Sequence, residues 1–210
     1  FSAHEHDHDE VRAGMERGQR IGHAVNKARH WGDLPASHMQ PSILADHAQA
    51  IANAHDVLSC HVYDEQTLLD MGMGGITAVS KGSNQEAKFV CMHYTCDASD
   101  APTLTLVGKG VTFDSGGLSL KPPHAMEDMK GDMNGGASVV ATMQALAYLQ
   151  PRVNVHAFVP LAENLTGGSA MKPGDVISLY NGKTAEIRNT DAEGRLLLAD
   201  ALSFASAHYE

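Results

Sequence analysis

The sequence is short of cysteine, short of positive charge and without a long apolar run, and each shortage removes a class of protein. Its three cysteines, Cys60, Cys91 and Cys96, are odd in number and form no Cys-x-x-Cys pair. Neither a disulfide framework nor a zinc ribbon is supported, which leaves three small buried thiols and a reducing, cytoplasmic setting. Lysine and arginine total 15 against 25 aspartates and glutamates, a formal net charge of −10. A surface that grips nucleic acid or anionic lipid needs clustered cations to neutralise phosphates, so neither partner is expected. An acidic balance instead suits cation binding. No stretch approaches the roughly 18 apolar residues that cross a bilayer. The start, Phe1-Ser2-Ala3-His4-Glu5-His6, lacks a charged-then-apolar leader, so neither membrane insertion nor export is indicated. Internal repeats and low-complexity tracts are also missing.

What is present is enough for one core. At 210 residues with 43% hydrophobic and 19% charged residues, the chain has the size and composition of a single globular domain. Val11, Met15, Gly18, Ile21, Val25 and Ala28 recur at three- and four-residue steps between Glu10 and Arg29, one face of an amphipathic helix. Pro41 suits the first turn of a second helix whose buried side is Leu44, Ala48, Ile51 and Ala52. Residues 57–63 read as a strand, 65–71 as a short helix, and 75–80, 88–94 and 103–107 as further strands. Ala137 to Leu149 is apolar enough for a buried helix that stops before Pro151, and 153–160 is a strongly strand-like run. Residues 176–180 and 184–187 flank Asn181-Gly182-Lys183, a hairpin signal, and a last helix begins near Leu196. Interleaved strands and helices of this kind predict a three-layer α/β/α domain around a central mixed sheet, with ligands at the glycine-rich strand ends.

Two segments concentrate the chemistry. One runs from Val107-Gly108-Lys109-Gly110 through Thr112-Phe113-Asp114-Ser115-Gly116-Gly117 and Lys121 to Asp132; the other is Asn189-Thr190-Asp191-Ala192-Glu193-Gly194-Arg195-Leu196. Carboxylates converging from such loops would repel one another unless a positive charge intervened, and divalent metal is the natural remedy. Oxygen ligands suit zinc, manganese and magnesium, and two cations roughly 3.5–4 Å apart can clamp a carbonyl and a nucleophilic water together. Asp191 and Glu193 lie two apart, so in an extended stretch both would face the same way.

These residues resemble the leucyl aminopeptidase, or cytosol aminopeptidase, family of two-zinc metallopeptidases (peptidase family M17). The octapeptide from Asn189 to Leu196 is that family's signature without change, and the Gly-Lys-Gly segment precedes it at the expected distance. The resemblance is strong after Val107 and weaker from Asn26 to Ala36. It implies a fold of the zinc-exopeptidase, phosphorylase/hydrolase-like kind and removal of N-terminal residues from peptides with a free amine. It further implies that Lys109, Asp114, Asp132, Asp191 and Glu193 are metal ligands, with Asp114 and Glu193 bridging two divalent ions, zinc or manganese, with magnesium or cobalt as alternatives. Lys109 and Asp132 would belong to the exchangeable site that receives the substrate amine, and Asp191 to the other. A bridging hydroxide would attack. Lys121 would stabilise the developing oxyanion, and Arg195 would hold a bicarbonate ion acting as general base. Met129 would wall the pocket for the first side chain, and Asn189 would contact substrate or support the ligands. A homo-hexamer is implied as well.

The chain departs from the family where Gly131 replaces a usual aromatic residue and Asn134 a small one. Family members also carry an N-terminal regulatory domain and a later Thr-Leu-Thr-Gly segment, so residues 1–210 are expected to be an incomplete catalytic domain. Rival readings are weaker. Asp114-Ser115-Gly116-Gly117 also occurs around chymotrypsin-like nucleophiles, but those need an all-β double barrel. Gly108-Lys109-Gly110 lacks the glycine spacing of a phosphate loop. His4, His6 and His8 receive no function, and isolated aspartates often merely cap helices. The functional alternatives are a non-catalytic metal-binding or DNA-associated assembly module, or an inactive fragment.

Overall fold

A computed structural model describes residues 8–209. Its spine is β5 (Asn154–Asn164), whose residues from Ala157 to Asn164 are all buried. On one side β5 pairs antiparallel with β2 (Lys88–Tyr94), which pairs antiparallel with β1 (Leu58–Tyr63). On the other side β3 (Thr103–Val107) and β4 (Gly110–Asp114) run parallel to it, one after the other along the same edge. The sheet is therefore mixed, as the sequence predicts.

Alternation along each strand sends side chains to two cores. Val155, Ala157, Val159 and Leu161 join Val90, Met92 and Tyr94 beneath α2 (Pro41–Asn53) and α6 (Asn134–Leu149). Phe158, Ala162, Phe89 and Cys91 face α4 (Gly74–Ser80) and α7 (Gly194–His208). Phe89 stacks on Phe158, and Phe204 of α7 meets both edge-on. Truncating such a buried ring to alanine costs about 3–5 kcal/mol. This is the three-layer α/β/α arrangement the alternating pattern implies. Among the described residues no helix is long and apolar enough to cross a membrane.

Three local expectations change. Residues 75–80, expected as a strand, form α4. Ile76, Thr77 and Val79 read as strand formers, but the buried carboxylate of Asp200, far off in sequence on the adjacent α7, accepts a hydrogen bond from the Ile76 N–H in the first turn of the helix. Local propensity gives way to that distant partner. The apolar face of α1 (His8–Asp33) is not buried as its periodicity suggests: every residue from His8 to Ile21 is exposed, Met15 by 71%. From its middle onward α1 packs through Ala24, Ala28 and Trp31, and Arg20 lies over the Tyr148 ring of α6. The hairpin is present but short, β6 (Val176–Ser178) with β7 (Thr184–Glu186), and its connection runs over five residues, 179–183, rather than the expected three, Asn181-Gly182-Lys183. Gly182 alone takes the positive φ, and Asn181 Oδ1 accepts from the Lys183 N–H.

The remaining elements are α3 (Glu65–Asp70), capped by Asp64, whose Oδ1 accepts from the Thr67 N–H, a single turn α5 (Pro123–Met126) and a 3₁₀ turn at Met129–Gly131. His4 and His6 lie outside the described residues.

Candidate metal centre

The carboxyl ends of β4 and β5 lie side by side, with Asp114 paired to Asn164 in register. Beyond β4 the chain turns sharply at Gly116 and Gly117, both with positive φ, and a Cβ on Gly116 would land 2.9 Å from Asp191 Oδ1. The turn can lie that close to the second segment only because it is glycine.

The second segment enters from β7 and ends at the start of α7. Asp191 and Glu193 are not on an extended stretch: residues 190–191 form a turn, with the Ala192 N–H donating to Asn189 O, and Glu193 is the N-cap of α7 with φ and ψ in the helical region. A turn brings the two carboxylates together all the same. Asp114, Asp191 and Glu193 offer oxygens within 4.8 Å of one another. Glu193 is 1% exposed and Asp114 2%.

Two lysines close the group. Lys109 Nζ lies 2.7 Å from Asp132 Oδ2 and 2.7 Å from Glu193 Oε1, and Lys121 Nζ is 3.0 Å from Asp114 Oδ2 and also against Asp191 Oδ1. Burial disfavours the Lys109 ammonium, yet Asp132 and Glu193 outweigh burial and raise its pKa; Asp191 and Asp114 do the same for Lys121. Asp132 is pushed up to about 6, mainly by burial, against the pull of Lys109. Without metal these lysines balance the acidic charge.

The balance is incomplete. Asp132 Oδ2, Asp191 Oδ1 and Glu193 Oε2 are buried with no hydrogen-bond partner among the described residues; the first two face ammonium groups at ion-pair range but outside hydrogen-bond geometry. Buried carboxylate oxygens left this way are costly, and a divalent ion would satisfy them. The donor set, hard oxygens with one amine, fits Mn²⁺, Zn²⁺ or Mg²⁺.

The other expected site residues flank the group. Arg195 stands exposed on the first turn of α7 and makes no ion pair among the described residues. Met129 is half-buried in the 3₁₀ turn just before Asp132. Asn189 is exposed, and its Oδ1 accepts from the Asp191 N–H at 2.8 Å, so it shapes the turn that carries Asp191. Ser115 is no nucleophile: it is buried, and its Oγ donates to Asn164 O.

Several residues that hold the site were not singled out from sequence. Thr190 is fully buried; its Oγ1 donates to Gly116 O and accepts from the Ser119 N–H, stitching the two segments together. A Cβ on Gly194 would meet Lys109 Cε at 2.8 Å and Nζ at 2.9 Å, so this glycine leaves the lysine its path. Asn164 joins β5 to both segments. Buried polar residues ending the apolar 155–162 run were the available signal.

Fold and site together define a three-layer α/β domain carrying a carboxylate-rich centre suited to divalent metal at its strand ends. The chain belongs to the cytosol aminopeptidase family, whose catalytic-domain model matches residues 26–210. It is 50% identical over 199 residues to a probable cytosol aminopeptidase of Desulforapulum autotrophicum, covering 95% of this chain and 38% of the relative. With the corresponding protein of Bdellovibrio bacteriovorus it shares 48% identity over 196 residues, 93% of this chain and 39% of that one. The chain thus spans about two-fifths of the length of these relatives. Among solved structures it is similar to the bottromycin maturation enzyme BotP in complex with Mn, with a TM-score of 0.87 and 42% identity over 93% of this chain and 42% of that one.

Proposed function

We propose that this chain is the metal-binding part of an aminopeptidase that removes N-terminal residues from peptides with a free amine. The observation that carries the reading is the convergence of Asp114, Asp191 and Glu193 within 4.8 Å, with Asp191 Oδ1 and Glu193 Oε2 buried and without a hydrogen bond among the described residues. Family membership and the manganese complex of BotP support it. Asp114 and Glu193, the most buried ligands, would lie between two divalent ions, zinc or manganese; Asp191 would serve one side and Asp132 with Lys109 the other. When bound, the ions would supply polarisation of the scissile carbonyl and a nucleophilic water at neutral pH.

The chain's own residues do the rest. As a ligand Lys109 must be neutral, and a neighbouring dication lowers an amine pKa enough to release its proton, reversing the direction set by carboxylates alone. Lys121 stays charged and donates to the oxyanion as it develops, an interaction that strengthens towards the transition state. Arg195, exposed and without an ion pair among the described residues, would hold a bicarbonate ion, which when bound would supply a general base. Met129 would line the pocket for the substrate's first side chain, and Asn189 would keep the Asp191 turn in place. A cytoplasmic homo-hexamer is part of the proposal through the family.

Leucine-p-nitroanilide hydrolysis by the full-length protein tests the reading, with Mn²⁺ or Zn²⁺ supplied. Activity that requires metal and falls at least a hundredfold in Asp191→Asn is the expected result. An inert full-length protein under every metal would overturn it and favour a non-catalytic metal-binding or assembly role. Activity in the full-length protein but none in residues 1–210 would mark this portion as insufficient alone.

A further inference from the structure

Asn164 stands where the metal-centre segments meet. It is the last residue of β5 and 3% exposed, yet its side chain enters neither apolar core. Its amide Nδ2 donates to Asp114 Oδ1 at 2.8 Å and to the backbone carbonyl of Thr190 at 2.9 Å. Both neighbours are acceptors, so chemistry fixes the amide orientation: only the NH₂ group can serve them together. Its backbone carbonyl accepts from Ser115 N–H at 2.9 Å and from Ser115 Oγ at 2.8 Å. One residue therefore grips β4's end through its main chain and both ligand-bearing segments through its side chain.

Asp114 shows the consequence. Its Oδ1 accepts from Asn164 Nδ2 and from the Gly116 N–H at 2.8 Å, so that oxygen is committed to the protein. Oδ2 is left turned towards Lys121 and the acidic group. The same amide fixes Thr190, one residue before Asp191. Free rotation of Asp114 or a shift of the 189–193 turn would both have to break it.

We propose that Asn164 is a positioning residue of the metal centre, setting which oxygen Asp114 presents and how far Asp114 stands from Asp191 and Glu193. The inference rests on the metal-centre reading above. Groups that orient metal ligands without touching the ion are worth about 10–100-fold in metal affinity or activity.

The test uses the full-length protein and two variants. Asn164→Asp keeps the shape and removes both donors, and Asn164→Ser is too short to reach Asp114 and Thr190 together. Ser115→Ala is the matched control, since it weakens the same turn but leaves the Asn164 to Asp114 bond in place. Titration with Mn²⁺ alone, followed by calorimetry, should show affinity lower by about 10–100-fold in folded Asn164 variants. The visible absorption of the Co²⁺-loaded protein should change in band position or intensity, and kcat should fall with KM nearly unchanged. Ser115→Ala should lower the melting temperature without moving Mn²⁺ affinity or the Co²⁺ spectrum. Folded Asn164 variants with parental Mn²⁺ affinity and spectrum would overturn the proposal while leaving the metal centre standing. A parent that binds no Mn²⁺ would remove both.

Discussion

Lys109 Nζ and Glu193 Oε1 lie 2.7 Å apart, and the lysine reaches the glutamate by passing over the bare Cα of Gly194. That contact joins the glycine-rich loop after β3 to the first turn of α7, and the same ammonium continues to Asp132. Three segments far apart in sequence are thus tied at one nitrogen. The acidic group is built around cations, whether the lysines alone or metal with a neutral Lys109.

Gly194→Ala tests that packing. The added methyl meets only the flexible end of the Lys109 side chain, so the fold should survive with a loss of about 1 kcal/mol or less. Lys109 would be displaced, and Mn²⁺ affinity should fall at least tenfold. Thermal melting without metal and Mn²⁺ calorimetry would be read side by side; parental affinity would show that the lysine has room elsewhere.

Asp200 is a buried carboxylate outside the acidic group, held by backbone donors. It is fully buried and accepts from the Ile76 N–H at 3.0 Å and the Tyr180 N–H at 2.8 Å, pinning α4 and the β6–β7 hairpin to α7. Burial raises its pKa despite those bonds, so it holds its charge at a cost. Asp200→Ala leaves buried N–H donors unpaired and should destabilise by roughly 2–4 kcal/mol in denaturant unfolding. Asp200→Asn keeps an acceptor oxygen and should lose less.

These cases show what sequence could and could not reveal. Residues near Asp114 and Asp191 to Glu193 carry unusual chemistry at local spacing, and the run from Asn154 to Asn164 is apolar enough to be a central strand. Such signals are short-range. The helix at Gly74–Ser80 depends on a carboxylate from α7, and its Ile, Thr and Val positions fit either structure when read alone. The face of α1 has true helical periodicity, but periodicity does not say whether a partner lies against it. Asn164 and Thr190 look like ordinary polar residues until the fold brings two loops onto them.

A second titratable pair lies away from the acidic group. His93 Nδ1 and His156 Nδ1 are 2.5 Å apart on β2 and β5, and Tyr209 OH lies 3.3 Å from His93 Nε2. Burial lowers both histidine pKa values below the ordinary 6.5, and His156 lowers His93 further. The unfolded chain then takes up protons that the folded chain refuses, so stability is full above about pH 6.5 and falls as pH drops towards the lowered values. The double variant His93→Gln, His156→Gln should lose less stability than the parent between pH 7.5 and 5.5 in denaturant melts. Equal losses would assign the acid sensitivity to other groups.

The most direct test of the metal centre is anomalous diffraction from crystals grown with Mn²⁺, collected at a wavelength that identifies the ion. Two peaks are expected, roughly 3.5–4 Å apart, with Asp114 and Glu193 between them, Asp191 on one side and Asp132 with Lys109 on the other. Density that stays with Lys109 and Lys121 paired to the carboxylates, and no anomalous peak within bonding distance of Asp114 or Glu193, would contradict it.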